Sequence, residues 1–223
     1  MRRRFLMVRD GLLPGCLLVG CLLVGCLGLA TCAPPPLTVY TLDVPLAARA
    51  AAPGGTPVVV IAVARVTIPD ELDTEDLVVR DGSTLSRSRQ GRWSSRLSLG
   101  ITARLTGRLA ERYPQALVTD RPLTETPTDR VLVNIGRLEV TTAGAASMDA
   151  DWLVVPRDTA APSRRERAHI TAQGATTGAA GTDAGVVALL GNMLDQLAAA
   201  IELPVPATKV RSGQVRRPRP VRP

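Results

Sequence analysis

Positions 58–66 read VVVIAVARV, a run that is apolar except for Arg65 and rich in β-branched side chains. It is too short for a helix and lies between Pro57 and Pro69, so it predicts a buried central strand. Upstream, Leu37-Thr38-Val39-Tyr40-Thr41-Leu42 alternates apolar and polar residues and reads as a first strand, separated by an Ala, Gly and Pro linker from Ala47 to Pro57. Downstream, Asp70, Glu71, Asp73, Glu75 and Asp76 form an acidic turn expected to be solvated. Leu77–Arg80 follows as a short strand, and Asp81-Gly82 turns it into a polar strand from Thr84 to about Gln90.

Ser94 or Ser95 then offers a cap for a helix that runs to about Tyr113 and stops at Pro114. Leu97, Ile101, Leu105 and Leu109 recur every four positions, and Arg96, Arg104, Arg108 and Arg112 follow the same spacing one residue earlier. A one-residue offset is about 100° around a helix, so an apolar seam lies beside an arginine flank. That flank reads as a solvated face, or alternatively as a surface for an acidic partner or lipid headgroups. Leu117-Val118-Thr119 is a short edge strand, and 120–129 a polar loop. Val131 to Thr141 alternates with a change of phase at Gly136, which predicts a bulge. Met148, Ala150, Trp152 and Val154 share one face of the next strand, Arg157 to Arg167 reads as a charged loop, and Ala168 to Ala172 is the last strand. After the flexible-looking stretch 174–181, Asp183 is expected to cap a second helix with Val187, Leu190, Leu194, Leu197 and Ile201 inward, ended by Pro204. The fold class is therefore α/β or α+β, a single mixed sheet of about five or more strands covered by two main helices.

The first residues carry a different signal. Arg2, Arg3 and Arg4 precede a stretch without charge from Gly11 to Ala30, the layout of an export signal. Pro14 and five glycines weaken it as a membrane-spanning helix, by about 3 kcal/mol for an interior Pro and about 1 for each Gly. All four cysteines, Cys16, Cys21, Cys26 and Cys32, lie here, which argues against a disulfide framework or cysteine metal site in the folded part. Leu18-Val19-Gly20-Cys21 and Leu23-Val24-Gly25-Cys26 look like bacterial lipoboxes, and Leu29-Ala30-Thr31-Cys32 is a third candidate. Cys26 has the best local pattern, with Cys32 and Cys21 as alternatives; Cys32 has the best spacing to the downstream chain. The expected organisation is a signal peptide at 1–25, a lipidated N-terminus and Pro-rich leader at 26–36, one domain at 37–206, and a basic, Pro-rich, disordered tail at 207–223.

The charge of +7 belongs to the ends. Four of the 27 basic residues lie in 1–25 and six in 207–223, which leaves 17 against 19 acidic residues between them, net −2. A nucleic-acid-binding domain carries basic charge on the fold itself, and stacking platforms need more aromatics than the two Trp, two Tyr and one Phe here, so no nucleic-acid partner is expected. His169 is the only histidine and reads as a structural strand residue; no Gly-x-Ser-x-Gly elbow accompanies it. The only lysine is Lys209 in the tail, so no phosphate-binding Gly-x-x-x-x-Gly-Lys sequence exists. No catalytic residue, metal ligand or cofactor is expected. Trp93, Trp152 and Tyr40 are expected to be structural anchors.

These residues resemble the PqiC-type ABC-transport auxiliary lipoproteins. The resemblance spans 32–203 and rests on a lipoprotein Cys and prolines before Tyr40-Thr41-Leu42, the strand at 58–66, Ile68-Pro69 with Leu72-Asp73, and Leu77-Val78-Val79-Arg80. It continues with Arg92-Trp93 ahead of Leu97, Ala150-Asp151-Trp152, and the helix from Gly181 to Ile201. The chain departs from the family pattern at Glu71, at Thr74 and at Ser94-Ser95-Arg96, around the helix start. The resemblance implies a non-enzymatic outer-membrane lipoprotein facing the periplasm, belonging to a Mce-type lipid transport system with an inner-membrane transporter and a periplasmic Mce protein. It would dock that bridge, with Arg92, Trp93 and Arg96 as candidate partner-binding residues, and a homo-oligomeric ring is a family-level expectation. Neither Leu27 nor Ala33 is the Asp that retains lipoproteins in the inner membrane. The competing reading is a lipoprotein binding module that contacts cell wall or a wall-synthesis enzyme.

Overall fold

The computed structural model describes residues 36–42, 59–175 and 181–205. The candidate lipidation cysteines, the linker at 47–57 and the basic tail lie outside them. The class is α+β, with the strands divided between two sheets rather than gathered in one. In the larger sheet β2 (Val60–Val63) lies between β5 (Leu117–Thr119) and β6 (Asp129–Val140), parallel to both. β7 (Ala145–Pro156) and β8 (Arg164–Gln173) extend it antiparallel beyond β6. The smaller sheet has β4 (Thr84–Trp93) at its centre, parallel to β1 (Thr38–Tyr40) and antiparallel to β3 (Asp76–Asp81). Two helices, α1 (Leu97–Arg112) and α2 (Gly181–Ala200), share one hydrophobic core with both sheets.

β2 is interior as expected, but only Ile61 and Val63 are buried, whereas Val60 and Ala62 are half-buried. Ala62 lines a hollow with Pro122, Leu123 and Pro127 of the β5–β6 loop, which leaves it half-buried. The pairing of β2 with β6 starts one residue ahead of Asp129, where Thr128 N–H donates to the Val60 carbonyl (2.7 Å) and Val60 N–H to Thr128 Oγ1 (3.1 Å). The alternation read in β6 and β7 is the real inward face: Val131, Val133, Ile135, Leu138 and Val140 are buried opposite Met148, Ala150, Trp152 and Val154. The register slips between Ile135 and Arg137, at the glycine where the phase changed. Gly82 and Gly144 adopt positive φ (58° and 81°) in the β3–β4 and β6–β7 turns, a conformation L-residues resist. Because Asp81 still pairs with Thr84, the first of these turns is Gly82-Ser83, one residue later than the sequence suggested.

Three boundaries differ. α1 begins at Leu97, not behind a Ser94 or Ser95 cap, because the strand conformation of β4 continues to Trp93. Trp93 N–H is held by the Glu75 carbonyl (2.7 Å) and Ser94 N–H by the Tyr40 carbonyl (2.8 Å), so the chain is pinned before it turns. β8 begins at Arg164, so the last four residues of the stretch read as a charged loop, 164–167, are strand. Pairing with β7 satisfies its backbone while Arg164, Arg165 and Arg167 stay at the surface, where charge on an edge strand also discourages further pairing. In α2 Asp183 lies inside the first turn rather than at the cap, and its carboxylate accepts the Ser88 hydroxyl (2.7 Å). The buried stripe of α2 is wider than predicted: Val186, Leu189 and Met193 join Leu190, Leu194, Leu197 and Ile201, while Val187 is only partly buried.

Candidate functional site

Leu97, Ile101, Leu105 and Leu109 are buried in the core, which fixes the direction of the arginine flank beside them. Its last three members, Arg104, Arg108 and Arg112, meet another part of the same chain. They face α2. Arg104 donates through Nε and Nη2 to the two oxygens of Asp195 (2.9 and 3.0 Å), and Arg108 does the same from the next turn (2.9 and 2.8 Å). Arg108 also reaches Glu111 (3.0 Å). Arg112 closes the row at the far end, donating to the carbonyls of Ala198, Ala199 and Ile201 where α2 runs out of internal partners. Burial alone would raise the Asp195 carboxyl, but hydrogen bonds from Arg108 and Arg104 and their charges hold it below its ordinary value. A Cβ at Gly191 would stand 3.1 Å from an Arg104 Nη, so the glycine leaves room for the guanidinium.

The fourth arginine of the row, Arg96, belongs to another cluster. The acidic turn folds back on the start of α1: Asp73 Oδ1 accepts the Ser98 N–H (3.1 Å), and the Thr74 carbonyl accepts the Leu97 N–H (3.1 Å). Asp73 is thus the cap that the serines were expected to supply, brought from a distant position in sequence. Arg65 Nη2 donates to Asp73 Oδ2 (3.1 Å) and to Ser98 Oγ (2.7 Å), and Arg96 Nε to the Asp73 carbonyl (3.1 Å). The cost of burying Asp73 is outweighed by the Ser98 hydrogen bonds and the charges of Arg96 and Arg65, so its carboxyl lies below its ordinary value. The guanidinium-bearing side chains remain open, Arg65 50% and Arg96 58% exposed, beside Leu99 at 44%.

The candidate partner residues therefore do not share one surface. Trp93 is 6% exposed and points into the core. Arg92 is half-buried, bonded to Asp76 (3.1 Å) and to the Ser88 and Gly91 carbonyls (both 2.7 Å). Arg96 alone faces outward, in company with Arg65 and Leu99. Trp152 is buried at 3%, and Tyr40 is partly buried against the core, cross-strand from Trp93. Sequence reasoning missed Asp73 and Asp195. Asp195 carried a signal: it is the only charged residue of α2 after Asp183, one position from the Leu194 seam.

The outward face of β6, β7 and β8 carries polar side chains beside the exposed Leu132. Asn134 Nδ2 donates to Asp151 Oδ1 (2.9 Å), and His169 Nδ1 stands 2.5 Å from Asp149 Oδ1. His169 is on the strand expected for it but is exposed. The hollow around it is lined by Gly136, Asp149, Asp151 and Arg167 and by no hydroxyl or thiol, so it joins an acid–base pair to no nucleophile. Among the described residues no group of three His, Cys, Asp or Glu is placed to hold a metal ion, and no helix is long and apolar enough to cross a membrane.

Residues 40–202 match the family model of the ABC-type transport auxiliary lipoprotein component. Among solved structures, a crystal structure of an uncharacterized protein is 17% identical over 74% of this chain and 95% of its own, with a TM-score of 0.59. A crystal structure from Xanthomonas campestris, of the DUF330 family, is 16% identical over 72% of this chain and 90% of its own, with a TM-score of 0.52. At such identities the likeness is one of fold. No curated protein matches the sequence.

Proposed function

The chain belongs to the family of ABC-type transport auxiliary lipoprotein components, and from that premise we propose that it docks the periplasmic Mce bridge of an intermembrane lipid transport system at the outer membrane. The observation that carries this reading is the family match over 40–202, which takes in both helices and every strand of the larger sheet. The family's proteins are lipoproteins serving ABC-type transporters, so the partner is a transport component and the role is attachment rather than chemistry. A diacylated cysteine, Cys26 or else Cys32 or Cys21, supplies the anchor, and the absence of Asp after Cys26 and Cys32 directs it to the outer membrane.

Of the candidate partner residues, Arg96 is the one available for contact, and Arg65 and Leu99 extend it into a small mixed surface at the start of α1. Asp73 holds both guanidinium groups in place, which lowers the entropy lost when an acidic group on the partner binds them. Intact mass spectrometry of the mature protein from its host membrane, with Cys21, Cys26 and Cys32 changed singly, tests the anchor; an unlipidated mature chain refutes it. Affinity capture from the same membrane tests the partner. Recovery of a Mce-type protein that is lost with Arg96→Glu supports docking, and recovery of none counts against it.

A further inference from the structure

β5 and β6 flank β2 and both run parallel to it, so the loop that joins them returns from the carboxyl end of β5 to the start of β6. Successive residues of a strand point to opposite sides of the sheet, so Ala62, between the buried Ile61 and Val63, points away from the core. Ala62 and Ala64 form one side of a hollow of about 320 Å³, and Pro122, Leu123 and Pro127 of the returning loop form the other. Its rim is charged but balanced. Arg65, Arg121 and Arg130 stand there with Asp120 and Glu125, and Arg65 is bonded to Asp73 (3.1 Å). Three guanidinium groups are matched by three carboxylates, so the hollow favours neither sign of charge. An apolar slot with a polar rim suits one anchoring side chain at a protein interface. Arg65 also ties the slot to the corner at the start of α1, because its Nη2 donates to Asp73 and Ser98 there.

We propose that this slot receives one large apolar side chain, aromatic, Leu or Met, from the same partner segment whose acidic residue meets Arg96 and Arg65. The inference rests on the docking reading given above and adds the apolar half of the recognised segment. Arg65 follows Ala62 by three positions and Ala64 by one, about 10 and 3 Å along the chain. In an extended segment the acid and the apolar anchor are therefore about three or four residues apart. Volume decides the class of occupant. The hollow lies at the lower end of the roughly 300–1,000 Å³ of small-molecule sites, which holds a side chain and not the two acyl chains of a phospholipid. Its floor is preformed, since β2 is paired on both sides, and little ordering entropy is lost when it is filled.

The test uses the mature full-length lipoprotein and the Mce-type protein that it captures from its host membrane. Ala62→Phe fills the slot from the strand, and Leu123→Asp removes an apolar wall at an exposed loop position. An unchanged circular dichroism spectrum verifies the fold of each variant. Both are expected to lower capture by about fivefold or more, as Arg96→Glu does. Arg130→Gln alters the charge of the rim and leaves the slot open, so it should change capture by less than about twofold. Capture that is lost with Arg96→Glu but kept by Ala62→Phe and Leu123→Asp overturns the slot while the docking reading stands. Capture lowered as much by Arg130→Gln as by Leu123→Asp overturns the apolar anchor. Recovery of no Mce-type protein by the parent chain overturns both readings.

Discussion

Asp195→Ala removes the carboxylate that joins α2 to two successive arginines of α1. Four hydrogen bonds of 2.8–3.0 Å are lost at once. Buried bonds to charged groups contribute about 1.5–3 kcal/mol each in net terms, whereas exposed ion pairs contribute less than about 1. The Arg104 side chain is 12% exposed and approaches the first limit; Arg108 and Asp195, both 35% exposed, are screened towards the second. The expected loss is about 2–3 kcal/mol, which for a fold of this size lowers Tm by about 5–10 °C. Urea unfolding followed by the fluorescence of the two buried tryptophans measures it, and a double-mutant cycle with Arg104→Ala isolates the pair. The pH dependence gives an independent check. The folded-state Asp195 carboxyl lies below its ordinary 3.8, so its contribution is present above that value and is lost as pH falls through the lower folded-state value. The gap between parent and variant should be constant near neutrality and narrow below about pH 4. A loss under about 0.5 kcal/mol, the size of an ordinary surface substitution, or a gap unchanged down to pH 3, refutes the reasoning.

Asp73→Ala removes the cap of α1 together with the hold on Arg65, and should cost about 1–2 kcal/mol; it should also weaken partner capture by loosening Arg96, whereas a cap alone would leave capture intact. Trp93→Ala empties a core position and is expected to cost about 3–5 kcal/mol by denaturant unfolding; loss of Mce-protein affinity with unchanged stability would contradict the buried placement. Burial raises the Asp129 carboxyl, and the Arg157 charge only partly opposes it. Its folded-state pKa then exceeds the unfolded one, so this group favours the fold at acid pH and that stability is lost as pH rises through the folded-state value. Asp129→Asn should therefore be more stable than the parent at pH 7, with the advantage shrinking towards pH 4; a neutral or destabilising effect at pH 7 rejects this.

Much of the fold was legible because its signals are local. Period-two alternation identified the inward faces of β6 and β7, and Gly136 marked the bulge. The four-residue spacing of Leu97, Ile101, Leu105 and Leu109 identified the buried side of α1. What failed depended on pairing between distant segments. Arg164, Arg165 and Arg167 look like loop residues until β7 lies beside them and supplies their hydrogen bonds. Ser94 and Ser95 look like caps until Tyr40 and Glu75 pin the backbone ahead of them. The division into two sheets follows from β1 pairing with β4 across an intervening linker, a choice that no local pattern records.

The arginines of α1 separate the two kinds of information most clearly. Sequence by itself determined that Arg104, Arg108 and Arg112 lie on one flank, about 100° from the apolar seam, because helix geometry converts spacing into angle. Whether that flank met water, a partner or another part of the chain depended on which element packs beside α1. Only the tertiary structure decided that it is α2, with Asp195 at the height of Arg104 and Arg108 and its last carbonyls at the height of Arg112. Spacing fixes direction on a helix, but the charge a side chain meets is set by packing between segments far apart in the chain.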